Sequence, residues 1–408
     1  MRILIYWEQS AWGGVDSHLL TLLNLWGDNS DEFIIVYNKG NQGLYRIKPD
    51  IKPGKNDIRF KEVYSWSYNE CKTRLSRGIL KIFIPFIYIF QPLLLVLMSL
   101  RLFFLFRNSG SIDIIFADNG GYPGAQGSSA AMLAARLAGI KGKVLMVHHA
   151  ASKNSIFLLN YEKIIDRFLF ASVDLIICPS FATRQSLLDF RFFNEEHTKI
   201  QVIPNGILMN EASLESHELP NILARSTNSK IRIGIVGRIE KYKGHQDVLI
   251  AISMLPDINK DQIELYIIGS GENEEIEDIV QTAAFYNIAD KVVFTGYVKG
   301  NSGDIIATCD LLVSATRTFE GFGLTIAEAL AVNVPVIATG VGAVPEFFNG
   351  VVAIVKPVSP VEIKDAILDF INNPQIWKER TQFGKKRVQT LSDNMALSFR
   401  EAFALTIK

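Results

Sequence analysis

LLVSATRTFEGFGLTIAEALAVNVPVIATG, residues 311–340, reads as an apolar run, a loop with two glycines, a helix-length segment and a second apolar run. Neither LLVSAT nor PVIATG alternates apolar with polar residues, the pattern of parallel strands covered by helices on both faces. Between them stand Glu320 and Glu328, eight positions apart. Were the whole segment helix, their side chains would be separated by about 12 Å along the axis and about 80° around it. Gly321 and Gly323 argue instead for a loop through Glu320 and a helix from near Leu324, with Glu328 in its second turn.

The same alternation continues in both directions. RILIYW, EFIIVY, DIIFAD, KVLMVHH and LIICPS precede Gly206, and IRIGIVG, ELYIIG and KVVFTG join the two runs above after it. Helix-length segments separate them, which predicts an α/β protein of two Rossmann-like, doubly wound parallel-sheet domains. Length agrees, since 408 residues exceed what a single core organises. The first series closes near VIPNGI, and the polar segment 208–230 precedes the second, which sets the expected domains at 1–206 and 207–385. Beyond Val355 the chain reads as helices broken at Pro357, Pro360 and Pro374, with 386–408 expected to cross back to the first domain.

With 48% hydrophobic and 21% charged residues, the composition is that of a globular protein and excludes pervasive disorder. Residues 1–205 carry 23 Lys and Arg against 17 Asp and Glu, and the remainder 19 against 25. That asymmetry is too mild for a nucleic-acid binder, but residues 39–81 concentrate eleven basic against four acidic side chains, a candidate basic surface. Cys71, Cys178 and Cys309 form no CxxC pair, so neither a disulfide framework nor a zinc site is expected and a reducing cytoplasm fits. MRILIYWEQS meets Glu8 after a short apolar run and reads as a first strand, not as a signal peptide.

One segment, 82–106, departs from the pattern. Its uncharged run from Ile82 to Leu100 covers 19 residues, a length that can cross a bilayer, yet Pro85 and Pro92 interrupt it and it falls between strands of one domain. Three readings stand: helices lying on or dipping into a membrane surface, buried core helices, or a span. The basic cluster just before it favours an anionic membrane surface.

Parallel sheets bind ligands beyond the carboxyl ends of their strands, so the strand-to-helix turns carry the functional reading. SAWGGVDSHLL places Gly13 and Gly14 before an apolar helix, where a backbone free of Cβ atoms and a helix N-terminus can approach an anion or simply turn tightly. KVLMVHHA ends a strand with His148 and His149, either of which suits a sugar hydroxyl, a reacting centre or a structural hydrogen bond. IGIVGRIEKYKGHQDVL sets Arg238 and Lys243 five apart in one turn, cations suited to a diphosphate or to solvent. In the opening stretch, the amides of Gly323 to Thr325 offer an anion site flanked by the acceptors Glu320 and Glu328, an arrangement that suits a nucleotide sugar.

GGVDSHLLTLL, VIPNG, VGRIEKYKGHQDVLIAISML, IIGSGENEEIEDIVQTAAFYNIADKVVFTGYV and EGFGLTIAEALAVNVPVIATGVGAVPE occur in an order and spacing that resembles the retaining glycosyltransferases of family 4. The resemblance is dense over 230–347, sparse before Gly206 and negligible over 39–111. It implies a GT-B fold, two such domains facing a cleft, and a nucleotide-sugar donor as co-substrate. It implies that Arg238 and Lys243 neutralise the donor diphosphate and that Glu328 holds the ribose. Glu320 would contact the donor sugar together with the amides of Gly321, Phe322, Gly323, Leu324 and Thr325, with Gly14 near the phosphates and His148 near the sugar. Asp16, His149, Asn333 and Ala343 depart from the usual residues.

The sequence contains no DxD, so no metal is expected and no cofactor beyond the donor. The expected activity is metal-independent retaining transfer to a glycan acceptor, lipid-linked, in bacterial surface polysaccharide synthesis on the inner face of the cytoplasmic membrane. A nucleotide-sugar epimerase of the same fold and a silent membrane-associated scaffold are the alternatives.

Overall fold

The computed structural model describes residues 1–9, 13–52, 56–65, 71–72, 82–124, 126–153, 159–191, 199–209, 223, 230–298 and 302–408. Most of the polar segment 208–230 and much of the basic segment 39–81 lie outside them. Two compact units form, one from Met1–Gly206 with Asp393–Lys408 and one from Ile207–Ser392.

The first unit holds β1 (Arg2–Trp7), β2 (Glu32–Asn38), β3 (Asp57–Val63), β4 (Ile114–Gly121), β5 (Gly142–His149), β6 (Leu175–Cys178) and β7 (Lys199–Val202). They form one parallel sheet in the order β3-β2-β1-β4-β5-β6-β7. The second unit repeats the plan with β8 (Ile231–Val236), β9 (Ile263–Ile268), β10 (Val292–Gly296), β11 (Leu311–Ser314), β12 (Val336–Thr339) and β13 (Ala353–Val355), in the order β10-β9-β8-β11-β12-β13. In each sheet the chain winds outward from a central strand and then crosses to that strand's other side. The β1/β4 and β8/β11 neighbours are therefore topological switch points, where connections leave in opposite directions and a crevice opens.

The central strand explains the apolar runs. Residues Ile3 to Trp7 are all buried, and the pleat sends alternate side chains to opposite faces. Leu4 and Tyr6 join one core, while Ile3, Ile5 and Trp7 join the other. Burying each large aliphatic side chain stabilises the unit by about 1.5–3 kcal/mol. Three strands, β3, β7 and β13, are missing from the apolar runs read above, and all three are sheet edges. In β3 the residues alternate and Val63 is its one buried position, as an edge exposed to water requires.

The segment 82–106 forms two helices, Ile84–Ile89 and Gln91–Arg107, with Pro92 in the first turn of the second. Leu95, Met98, Leu102 and Phe106 are buried at helical spacing, while Leu93, Val96, Leu97, Leu100 and Phe104 are exposed. The segment is thus half core and half surface. The spanning reading fails, because among the described residues no helix is long and apolar enough to cross a membrane.

The final helix runs Pro374–Thr406, longer than expected. Its residues Met395, Ala396, Phe399, Ala402 and Phe403 are buried in the first unit's core with Ile3, Ile5 and Trp7.

Candidate functional site

At the second switch point the chain leaves β8, passes Arg238 and enters the short 3-10 turn Lys241–Lys243 ahead of the helix His245–Ser253. Gly244 joins turn to helix with φ of +72°, and a Cβ there would run into the Ala315 carbonyl oxygen. Glycine is what lets this turn lie against the end of β11. Two further links hold it: the Arg317 amide donates to the Tyr242 carbonyl at 2.7 Å, and the Arg317 guanidinium donates twice to Asp247, each at 2.8 Å.

That packing delivers Lys243 to Glu320. Lys243 Nζ lies 3.1 Å from Glu320 Oε2, which also accepts from Thr316 Oγ1 at 3.2 Å. The Glu320 backbone is fixed from the loop after β12, where the Ala343 amide donates to its carbonyl at 2.8 Å. Gly342, at φ of +55°, passes so close to that carbonyl that a Cβ would collide with it. A glycine at this position is therefore required, whereas Ala343 is accommodated.

The helix Leu324–Ala331 starts at Gly323, which adopts φ of +98°. Its first-turn amides, those of Leu324 and Thr325 among them, lie outside the intrahelical ladder and form the positive end of the helix dipole. Arg238, Lys243, Glu320, Gly323 and Thr325 line one pocket. Arg238 is mostly exposed and pairs with Glu240 at 2.7 Å. Gly321 is buried beside Phe322, whose ring is packed against Phe347 and Phe348, so Phe322 offers a ligand its backbone alone. Glu328, three residues beyond Thr325, is half-buried. Burial pushes its carboxyl up to about 7, against the pull of a hydrogen bond from Ser302. His245 also lines the pocket, and burial together with Lys243 pushes it down to about 4. Its ring is neutral near pH 7, which leaves Lys243 and Arg238 as the cations lining this pocket.

At the first switch point, residues 10–12 lie outside the described residues and the helix Gly14–Leu25 begins just after them. The Gly13 amide donates to Asp16 Oδ2 at 2.7 Å, and Trp7 Nε1 donates to Asp16 Oδ1 at 3.0 Å. The Gly13 amide is thus committed to the helix cap, and Gly14 is the exposed start of the helix. Burial pushes the Asp16 carboxyl up to about 7 despite those bonds.

Beside this helix, His148 Nε2 lies 2.8 Å from Asp118 Oδ1 and His18 Nδ1 lies 3.1 Å from Asp118 Oδ2. Of the two histidines ending β5, His149 is exposed and His148 turns inward, with a tenth of its side chain accessible. Burial alone would raise the Asp118 carboxyl, but the two imidazoles prevail and hold it well below the usual carboxylate range. Burial and the neighbouring His18 lower His148 in turn. Sequence reading singles out neither His18 nor Asp118. The signals were a histidine among the leucines of an apolar helix and an aspartate closing DIIFAD. Among the described residues these three are the cluster whose ligand-type atoms all lie within 4.8 Å, close enough to surround a cation. Both carboxylate oxygens are, however, already engaged by imidazole nitrogens.

The family profile described as Glycosyltransferase Family 4 matches residues 12–210, and that described as Glycosyl transferases group 1 matches residues 220–389. An alpha-monoglucosyldiacylglycerol synthase of Streptococcus pneumoniae is 30% identical over 200 residues, 47% of this chain and 43% of that protein. An uncharacterized glycosyltransferase of Methanocaldococcus jannaschii is 25% identical over 251 residues, 58% of this chain and 61% of that one. The chain therefore spans less than two thirds of the length of these curated relatives. The solved structure of Anabaena Alr3699/HepE in complex with UDP and glucose is similar with a TM-score of 0.72 at 16% identity, covering 99% of each chain. At that identity the likeness bears on the fold, which is GT-B.

Proposed function

The chain belongs to glycosyltransferase family 4, and from that premise we propose that it transfers a hexosyl unit from a nucleoside diphosphate sugar to a glycan acceptor, with retention and without a metal ion. The observation that carries the reading is the Lys243–Glu320 contact beside the helix N-terminus at Leu324. Lys243, Arg238 and the first-turn amides supply positive charge where a departing diphosphate gathers negative charge. Glu320 accepts from the hydroxyls of the donor sugar. Glu328, a half-buried carboxyl whose ionisation is suppressed by burial, accepts from a ribose diol, whose donors favour its charged form. During transfer the anomeric C–O bond to the diphosphate breaks while a bond to the acceptor oxygen forms on the same face. The acceptor proton passes to the departing phosphate oxygen. His148 in the first unit takes a hydrogen bond from a sugar hydroxyl.

The acceptor is lipid-linked and is met at the inner face of the cytoplasmic membrane, in the assembly of a bacterial surface polysaccharide. Supporting this, Phe86, Ile89, Leu93, Leu97, Leu100 and Phe104 form an exposed apolar stripe at helical spacing. Lys39 donates to Tyr64 Oη at 2.6 Å, and Arg101 lies over the same ring, so cations border the stripe as an anionic lipid surface requires. One matching relative carries a diacylglycerol product in its name.

Calorimetry with UDP, GDP, ADP and their sugars tests the donor site. One nucleotide is expected to bind the wild type and to bind Glu328→Ala more weakly; a folded wild type that binds none overturns the reading. Activity unchanged in EDTA is expected, and loss restored only by a divalent ion would refute metal independence. Incubation with donor alone distinguishes transfer from epimerisation.

A further inference from the structure

Asp118 is fully buried, and each of its oxygens faces an imidazole nitrogen, His18 Nδ1 at 3.1 Å and His148 Nε2 at 2.8 Å. An ionised carboxylate can only accept hydrogen bonds, so both nitrogens carry protons. A neutral imidazole protonated at one nitrogen offers a lone pair at the other. His148 retains some exposure, and among the described residues its Nδ1 has no hydrogen-bond partner within the protein. His18 is sealed: its ring stands edge-on to His148, with centroids 4.4 Å apart, and lies against Phe399 at 5.3 Å. Its Nε2 is buried without a partner.

That orphaned nitrogen separates two explanations of the cluster. A metal-binding histidine ordinarily donates its second nitrogen to a carbonyl or carboxylate, which raises its basicity as a ligand. His18 makes no such bond, so the cluster fits protons better than a cation. A position that merely filled space against Phe399 would be better served by an apolar side chain, since a buried nitrogen without a partner is unfavourable. What histidine adds there is its Nδ1–H, which occupies the second oxygen of Asp118 and keeps the carboxylate turned toward His148.

We infer that His18 and Asp118 are positioning residues that hold His148 as its Nε2–H tautomer, presenting Nδ1 to a ligand as a hydrogen-bond acceptor. The assignment defines the ligand group. It is a hydroxyl, which can donate to Nδ1, and not a carbonyl or ether oxygen, which cannot. The inference rests on the proposed role of His148 at a sugar, but its first test does not depend on activity.

Nitrogen-15 spectroscopy of the imidazoles in the full-length protein near neutral pH reads the tautomers directly. Wild type is expected to show His148 protonated at Nε2 and bare at Nδ1. In Asp118→Asn the amide can accept from one ring but must donate to the other, so at least one of the two histidines changes tautomer. His18→Asn keeps an N–H donor near the position of Nδ1 and preserves the wild-type His148 signal, whereas His18→Phe removes the donor and broadens or shifts it. Transfer assays should follow the same order, with Asp118→Asn and His18→Phe lowering kcat by roughly 10- to 100-fold, His18→Asn restoring most of it, and nucleotide affinity unchanged throughout. Protonation of His148 at Nδ1 in wild type, tautomers of both histidines indifferent to Asp118→Asn, or one equivalent of zinc purifying with the protein and lost in His18→Phe would each overturn the inference. Absence of any transfer by wild type, with the tautomer as expected, would refute the proposed activity and leave the tautomer assignment standing.

Discussion

The two switch points share a strand order and treat a carboxylate in opposite ways. At β1/β4, Asp118 is wholly inaccessible and closed between two imidazoles. At β8/β11, Glu320 and Lys243 keep 19% and 28% of their side chains accessible and meet at the mouth of a pocket. The difference decides what each charge can do. A half-open pair contributes about 1 kcal/mol or less, so a ligand can exchange into it at small cost. A buried set that loses one partner is destabilised by about 3–5 kcal/mol, so it serves to fix geometry. Identical topology supplies the crevice, and burial determines whether the charge within it is available or committed.

The largest effect that could break this comparison is on stability in the first unit. Asp118→Ala strands two buried imidazole donors and is expected to lower unfolding stability by about 3–5 kcal/mol. A loss below about 1 kcal/mol in urea denaturation would mean that the site is not closed. Next comes Lys243→Ala, expected to cut kcat/KM by 10²- to 10³-fold, about 3–4 kcal/mol, with the unfolding midpoint nearly unchanged. A large fall in stability instead would make Lys243–Glu320 a structural pair.

A smaller effect lies in pH dependence. Glu328 shifts from 4.5 to about 7 on folding, so between these values the native state binds more protons than the unfolded one. Stability therefore falls as pH rises through that window and levels off above it. Glu328→Gln removes the fall. It should match wild type near pH 4 and exceed it near pH 8 by on the order of 2 kcal/mol, allowing for partial exposure. Asp16, raised from 3.8 to about 7, contributes a parallel decline in the first unit. Equal denaturation midpoints for Glu328→Gln and wild type near pH 8 would remove this account of Glu328. The smallest expected effect per residue is at the exposed stripe. Leu93→Ser combined with Leu100→Ser should weaken binding to anionic vesicles about thirtyfold, near 1 kcal/mol for each side chain. Turnover of a soluble acceptor should be unaffected, and vesicle binding equal to wild type would refute the membrane contact.

Legibility in the sequence followed burial. Central strands lie between two helical layers, so RILIYW and IRIGIVG show as unbroken apolar runs. The edge strands DIRFKEV and KIQV carry no comparable mark, although the edge strand β10 shows as KVVFTG. The glycine-rich loops of the second unit were readable because Gly244, Gly323 and Gly342 occupy positive-φ positions, the first and last of them against other backbone and Gly323 against the side chains of Ile326 and Phe348. Asp118 and its histidines were not, since 100 residues separate His18 from Asp118 and 30 separate Asp118 from His148. The pairing of β1, β4 and β5 brings them together, and no local motif encodes it. The Arg317–Asp247 clasp was hidden for the same reason, its partners being 70 residues apart.

The closing stretch of the last helix has a consequence for synthesis. Residues 1–206 leave the ribosome first, yet Phe399 and Phe403 belong to their core. At about 5–20 residues per second, the first half waits roughly 10–40 s for those rings to be made. During that interval the apolar faces of Ile3, Ile5 and Phe116 lack their final cover. The part of the chain born first is thus completed last, and its apolar faces stay uncovered until the final helix is made.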